Sequence, residues 1–187
     1  MKILEIIENS ATLLGLCDEA DVLKNVTEET ENDVLQENHN IERLFNLCKF
    51  SVRELCTNYV PVVISETIQS VDCKYSVGLF ENFIRVQNVF EKDSMVKYKI
   101  INRNLVFERD GEYSVQYATY PTINSLYDDL DFLQNLNPDV LVLGLCAYFA
   151  LAHGMFDQFK EFHEKYISRA EALKDLRIFE LPSRRWE

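Results

Sequence analysis

The spacing of apolar residues changes period twice along this chain. Ile3, Ile6, Ile7, Leu13 and Leu14 recur near a 3.6-residue period and predict a helix from Lys2 to Leu14, with Gly15 as its stop. Residues Asp18 to Asn40 are polar and acidic, with weak apolar spacing at Val22, Leu23, Val26, Val34 and Leu35. They read as one short helix and a mobile loop. Ile41, Leu44, Phe45, Cys48, Val52, Leu55, Cys56 and Tyr59 then form one continuous stripe at steps of three and four, which predicts a long helix ended by Pro61.

Past Pro61 the period becomes two. In "VVISETIQSV", Ile64, Glu66 and Ile68 alternate with Val63, Ser65 and Thr67, the pattern of a half-buried strand. "FIRVQNVF" and "MVKYKI" continue it, and Asp110-Gly111 lies between two β-rich runs as a hairpin signal. Residues 62–120 are therefore expected to form an antiparallel meander of four or five strands. Pro121 to Asn137 read as a loop with the acidic cluster Asp128, Asp129 and Asp131, and Pro138 can open a helix. Val140 to Ala152 is apolar almost all round and predicts a buried helix. After a break at His153-Gly154, Met155 to Leu176 predicts a last helix, with Phe156, Phe159, Phe162 or His163, Tyr166, Ala170 and Leu173 on one side. The fold class expected is α+β, mainly α: a helical bundle with an inserted antiparallel β meander and an extended C-terminal tail. One domain spans 1–187, with helical parts 1–60 and 138–176, the β insertion at 62–120 and the tail at 177–187. Helices are expected over roughly 40–45% of the chain.

Composition narrows the function. Hydrophobic residues make up 47% of the 187, enough for a core. The net charge of −12, from 31 acidic and 19 basic residues, argues against a surface that grips nucleic acid, where clustered Lys and Arg must neutralise phosphates. The first forty residues hold ten acids and two lysines. The N-terminal segment carries acids within its apolar pattern, unlike a secretory signal. The apolar run Val140–Ala152 would span about 20 Å as a helix, short of a hydrocarbon layer of about 30 Å. Cys17, Cys48, Cys56, Cys73 and Cys146 include no CxxC pair and read as free thiols of a chain made in a reducing cytoplasm.

Candidate chemistry is sparse. Cys48 and Cys56 share a helical face, but two turns apart and without a histidine, which fits core packing better than a metal pair. His153 and His163 stand ten residues apart with Asp157, Glu161 and Glu164 nearby, the one place for a carboxylate–histidine metal site, yet no HExxH or ExxH spacing is present. His39 lies in the polar segment. Asp128, Asp129 and Asp131 lack the spacing and turn glycine of a calcium loop. No glycine-rich phosphate loop and no GxSxG elbow occur, so the residues favour an interaction or structural protein over an enzyme, with no cofactor and no metal. The C-terminal "LPSRRWE" stands apart: Pro182 blocks helix continuation, and Arg184, Arg185 and the one tryptophan, Trp186, are residue types enriched at binding hot spots. Two readings stay open, a tail for another surface or a tryptophan folded back on its own core.

The sequence of elements resembles the head–tail connector (adaptor) proteins of tailed bacteriophages. The resemblance is carried by "EIIENSATLLGL", by "IERLFNLCKFSVRELCTNYVPVVISETI" as a helix running into a strand, by "PDVLVLGLCAYFALAHGMFDQFKEFHEKYISRAEALKDL" as a paired-helix end, and by "SRRW". It covers nearly the whole chain through patterns rather than fixed residues. It implies a structural virion protein, made in the host cytoplasm and located in the neck between capsid and tail. There it would form a homo-oligomeric ring, a dodecamer, that joins the portal protein to a downstream neck, stopper or tail protein, with DNA only as passing cargo and no membrane contact. Portal contact would then fall on Arg184, Arg185 and Trp186, with Arg177 in support. The acidic stretch 18–40 departs from the family pattern. The rival expectation is a non-virion regulatory or enzyme subunit, its site completed by a partner or built from the histidines and carboxylates above.

Overall fold

The computed structural model describes residues 2–130 and 137–177, the side chains of the last four excepted. The protein is mixed α+β, about 49% helical and 23% strand. Its described residues fall into two compact units, one within Met1–Leu55 and Ile123–Glu187, the other Cys56–Thr122.

The helical unit holds α1 (Ile3–Leu13), α2 (Cys17–Asn25), α3 (Glu31–Glu37), most of α4 (His39–Asn58), α5 (Asp139–Ala152) and α6 (Phe156–Arg177). Helix α5 is buried from Val140 to Ala150 except at Tyr148, as its apolar circumference demands, and it packs against α6 and α1. The α4 stripe is buried as its spacing predicts, at Ile41, Leu44, Phe45, Cys48, Val52, Leu55 and Cys56. The stripe expected on α6 narrows: Tyr166, Ala170 and Leu173 are buried, whereas Phe156 is 69% exposed because it stands in the first turn, beyond the end of α5. Leu13, expected in the α1 core, is also exposed. Both α1 and α5 end on a glycine in left-handed geometry, Gly15 at φ +76 and Gly154 at φ +70. In each, the next residue's N–H returns to a carbonyl five back (Leu16 to Ala11, Met155 to Ala150), a Schellman closure.

The acidic stretch folds as two helices, α2 and α3, rather than the expected helix and mobile loop, which lifts the helix content above the expected range. Long-range contacts account for it. Ala20, Leu23 and Val26 are buried, and Glu31, buried at the start of α3, accepts hydrogen bonds from the Ser125 hydroxyl and the Leu126 N–H, both at 2.7 Å. The Tyr127 hydroxyl donates to the Val26 carbonyl at 2.7 Å. The same segment supplies the Leu126 and Asp128 carbonyls to the N–H groups of Leu4 and Ile3 at the head of α1.

The β unit has seven strands: β1 (Val62–Gln69), β2 (Lys74–Ser76), β3 (Phe83–Glu91), β4 (Ser94–Met95), β5 (Lys99–Ile101), β6 (Asn104–Val106) and β7 (Glu112–Thr119). They lie within the expected span and pair antiparallel, but not as one meander. The orders are β1-β7-β3-β4 and β2-β6-β5, so the first and last strands are neighbours. Asp110-Gly111 makes no hairpin. It is the corner by which the chain leaves β6 for β7 in the other sheet, fastened to the Ser70–Lys74 turn by the Cys73 N–H on Asp110 Oδ1 and by a Ser70–Gly111 pair of bonds at 2.9 and 3.0 Å. The tight two-residue turns fall instead on Asp72-Cys73, Lys92-Asp93 and Asn102-Arg103, all at positive φ without a glycine. "MVKYKI" is consequently split between β4 and β5. Both sheets share one core of Ile68, Val77, Phe80, Val89, Leu105, Phe107, Tyr113, Val115 and Tyr117. Phe107 stacks on Tyr113 at 4.1 Å, and Phe80 lies tilted against Tyr117 at 4.3 Å.

Two stability measurements follow from this packing. A Cβ at Gly144 of α5 would stand 3.0 Å from the ring of Tyr166, which is fully buried. Gly144→Ala gains about 0.8–1 kcal/mol of helix propensity but overpacks at a cost of about 1–3 kcal/mol, so urea unfolding is expected to show a net loss. Replacing Lys92→Asn with Asp93→Gly supplies residues that suit φ 45 and 68. That pair is expected to raise stability by about 0.5–1 kcal/mol in the same measurement.

Candidate functional site

The C-terminal turn of α5 places His153 beside α4. His153 Nδ1 lies 2.9 Å from the Phe149 carbonyl, which can only accept, so Nδ1 carries the proton. Nε2 is then the acceptor for the Arg43 guanidinium, 3.0 Å away, and the ring stacks on Phe149 at 4.0 Å. Both nitrogens are occupied, and a metal would have to displace an arginine. His163 has other surroundings, stacked on Phe159 at 5.1 Å and tilted against Tyr166, with Nδ1 buried and without a partner among the described residues. Asp157, Glu161 and Glu164 do not gather round either ring: Glu161 pairs with Lys165, one turn on in α6. Among the described residues no group of three His, Cys, Asp or Glu side chains is placed to hold a metal ion. His39 faces Glu42 at 3.5 Å on an exposed turn.

The thiols divide by burial. Cys48, Cys56 and Cys146 are buried, Cys73 is half-buried and Cys17 exposed. Burial pushes the Cys48 and Cys146 thiols up to about 12, and Cys146 donates to the Ser10 carbonyl at 3.6 Å. These are core thiols rather than ligands or nucleophiles. Asp128, one of the acids weighed for a cation, uses Oδ2 to accept the N–H groups of Asn124 and Ser125 at 2.7 and 3.0 Å, so it shapes the turn that docks on α1. Asp131 lies outside the described residues.

One cluster escaped the sequence reading. Glu54, half-buried on α4, accepts hydrogen bonds on Oε2 from the hydroxyls of Tyr148 on α5 and Tyr166 on α6, at 2.6 and 2.9 Å. Phe50, one turn earlier, meets the Tyr148 ring edge-on at 5.0 Å. The cluster ties three helices at one point, and no periodicity signals it, because Glu54 sits beside the apolar stripe as an ordinary flanking acid would. In the β unit a cleft of about 700 Å³ on one face of the four-stranded sheet is lined by Thr67, Glu91, Lys92, Glu112, Ser114 and Gln116. A second, of about 520 Å³, has Val96, Tyr98, Val106 and Phe107 as its apolar wall with Lys97 and Lys99 at its side. Neither joins a nucleophile to a base. In the first, Glu91 is engaged by Arg109 at 2.6 Å.

Arg177 is the last residue of α6, and its side chain, together with Pro182, Arg184, Arg185 and Trp186, lies outside the described residues. No helix among the described residues is long and apolar enough to cross a membrane. The chain matches no protein-family model and no curated protein.

Accessibility to a thiol reagent tests this arrangement. In the native protein Cys17 and Cys73 are expected to react, and Cys48, Cys56 and Cys146 only on unfolding. The raised thiols of Cys48 and Cys146 favour the protonated form, so the folded state gains from them fully below the ordinary thiol range and loses that gain as pH rises toward about 12. Mass spectrometry after timed labelling near neutral pH reads the division directly.

Proposed function

We propose that the chain is a structural virion protein, a head–tail connector or adaptor, and that it acts by assembly rather than catalysis. In this reading copies form a ring, a dodecamer by family resemblance, which joins the portal protein to a downstream neck or tail protein and lets DNA pass. The observation that supports it best is the order of elements. N- and C-terminal segments build one helical unit, a β unit lies between them in sequence, and α6 runs to Arg177, with "SRRW" further on in the sequence at 183–186. A helical bundle with an inserted β segment and an extended C-terminal tail is the finer architecture that this reading assigns.

Charge supports the same reading. Of the 31 acidic and 19 basic residues, the β unit's span holds 8 and 7, leaving 23 and 12, a net −11, to the helical unit's span. An anionic surface repels a phosphate backbone, so a genome can pass without sticking. The rival reading is a regulatory or enzyme subunit with a site completed by a partner or built from His and carboxylates, and its metal form is disfavoured at His153, which spends both nitrogens on Phe149 and Arg43.

The tail is the part to test. Trp186 would fill an apolar crevice of the portal, and Arg184 and Arg185, supported by Arg177, would meet its carboxylates. Pro182 would keep the segment extended, lowering the ordering cost on binding. Deleting Pro182–Glu187 is expected to leave the melting temperature unchanged and to abolish retention on portal rings in a pull-down. A buried anchor truncated to alanine costs at least about 2 kcal/mol at a hot spot, whereas each exposed arginine contact contributes about 0.2–1 kcal/mol. Trp186→Ala should therefore weaken retention more than Arg184→Ala. Unchanged portal binding by the truncated chain, or its unfolding, would overturn this assignment.

A further inference from the structure

The two sheets of the β unit have four edges, and they are not alike. β2 and β5 have three residues each, too short to template another strand, while β4 has two and pairs with Phe90 and Glu91 of β3, whose remaining outer edge is made irregular by shifts in its register against β7. β1 has eight, Val62–Gln69, and among the described residues β7 is its one hydrogen-bonded neighbour. Its register against β7 runs unbroken from Val62–Thr119 to Gln69–Glu112, whereas the β3–β7 register shifts twice. The usual protections of a free edge are missing from it: it contains no lysine, no proline and no bulge. Its single charge, Glu66, is turned to accept the Tyr117 hydroxyl at 3.1 Å. Only Ile68 of the strand is buried, and Val63 and Ile64, on opposite faces, are 44% and 39% exposed.

We propose that β1 is a docking edge for a second copy of this chain, the two β1 strands pairing antiparallel across a two-fold axis. Three features select a second copy over other occupants. A two-fold axis normal to a sheet necessarily sets equivalent strands antiparallel, the mode of every other pairing in this unit. Val63, Ser65 and Thr67, which share one face of β1, are themselves uncharged, so the equivalent strands bring no like charges directly opposite one another there. The β unit's span is close to neutral, 7 basic against 8 acidic residues, whereas contact through the helical units would bring two surfaces of net −11 together. Each new edge pair satisfies backbone groups that otherwise face water, and Val63 and Ile64 add apolar contact on both sides of the joined sheet. An eight-residue edge gives less than the roughly 800 Å² per partner of a standard interface, which places the dimer among weak, concentration-dependent associations. The inference does not rest on the connector reading, because it concerns the free chain and is tested without portal.

Sedimentation velocity of the full chain over a concentration series, with hydrogen exchange at matched concentrations, tests it. The wild type is expected to rise from one to two chain masses, with residues 62–69 gaining exchange protection in parallel. With Ser65 set on the two-fold axis, the double variant Val63→Lys, Thr67→Lys places lysines opposite one another and is expected to weaken association at least about tenfold, with unchanged circular dichroism. Ile100→Lys, 52% exposed on the short β5 edge, is the control and should dimerise as the wild type does. Should the double variant misfold, wild-type exchange decides, since protection at 62–69 that is independent of concentration overturns the proposal. A wild type that stays monomeric, one that closes into larger rings, or a dimer that survives in the folded double variant overturns it too. So does protection of 62–69 in a monomer that vanishes when residues 178–187 are deleted, which would make the chain's own terminus the occupant.

Discussion

A helix that is apolar on every side cannot stand at a surface, and α5 imposes that condition on the helical unit. From Val140 to Ala150 almost every side chain is out of water. Each buried Val, Leu or Phe contributes about 1.5–3 kcal/mol relative to exposure, provided neighbours arrive to cover it. α1 and α6 pack on it directly, and Tyr148 reaches Glu54 of α4. Close packing also needs local allowance: Gly144 leaves room for the Tyr166 ring, and Tyr166 then shares Glu54 with Tyr148. A half-buried carboxylate holding two phenols converts non-directional burial into a fixed arrangement of three helices.

The polar segments are organised around that core by hydrogen bonding rather than by periodicity. Residues Ser125 to Asp128 form no helix or strand with a neighbour of their own length, yet they cap α1 with two carbonyls and donate to Glu31 at the head of α3. Glu31 accepts because a buried carboxylate without donors would be costly. Several acids of this anionic chain, Glu31, Glu54 and Asp128 among them, are thus put to structural use. In the β unit the same role falls on Asp110 and Ser70, whose bonds turn the chain from one sheet to the other.

Much of the candidate chemistry read from the sequence is tied into the helical unit's own packing. His153, the buried thiols of Cys48, Cys56 and Cys146, and the carboxylate of Glu54 are engaged in packing and in hydrogen bonds within the helical unit. Among the described residues the chain leaves open a long sheet edge, and the helical unit's span carries a net −11. The proposed connector role and the proposed paired edge both draw on these features.

The sequence by itself determined the elements whose signals are local and repetitive. The α4 stripe from Ile41 to Cys56, the all-round apolar α5, the stops at Gly15 and Gly154 and the confinement of strands to the middle of the chain were legible, because burial of one face leaves a period of 3.6 or 2. Tertiary structure decided what depends on partners distant in sequence. Helix α3 exists through Glu31 and a loop 94 residues away at Ser125, a contact that no window of residues contains. Asp110-Gly111 has the composition of a hairpin turn, but β6 and β7 already have better partners in β2, β5, β1 and β3, so the dipeptide serves as a corner while Lys92-Asp93 and Asn102-Arg103 make the tight turns. Likewise the alternation of β1 announced a strand without saying that it would be an edge. Strand order is set by which pairings bury Tyr113, Val115 and Tyr117 together, and that competition is settled only when the whole unit closes on its core.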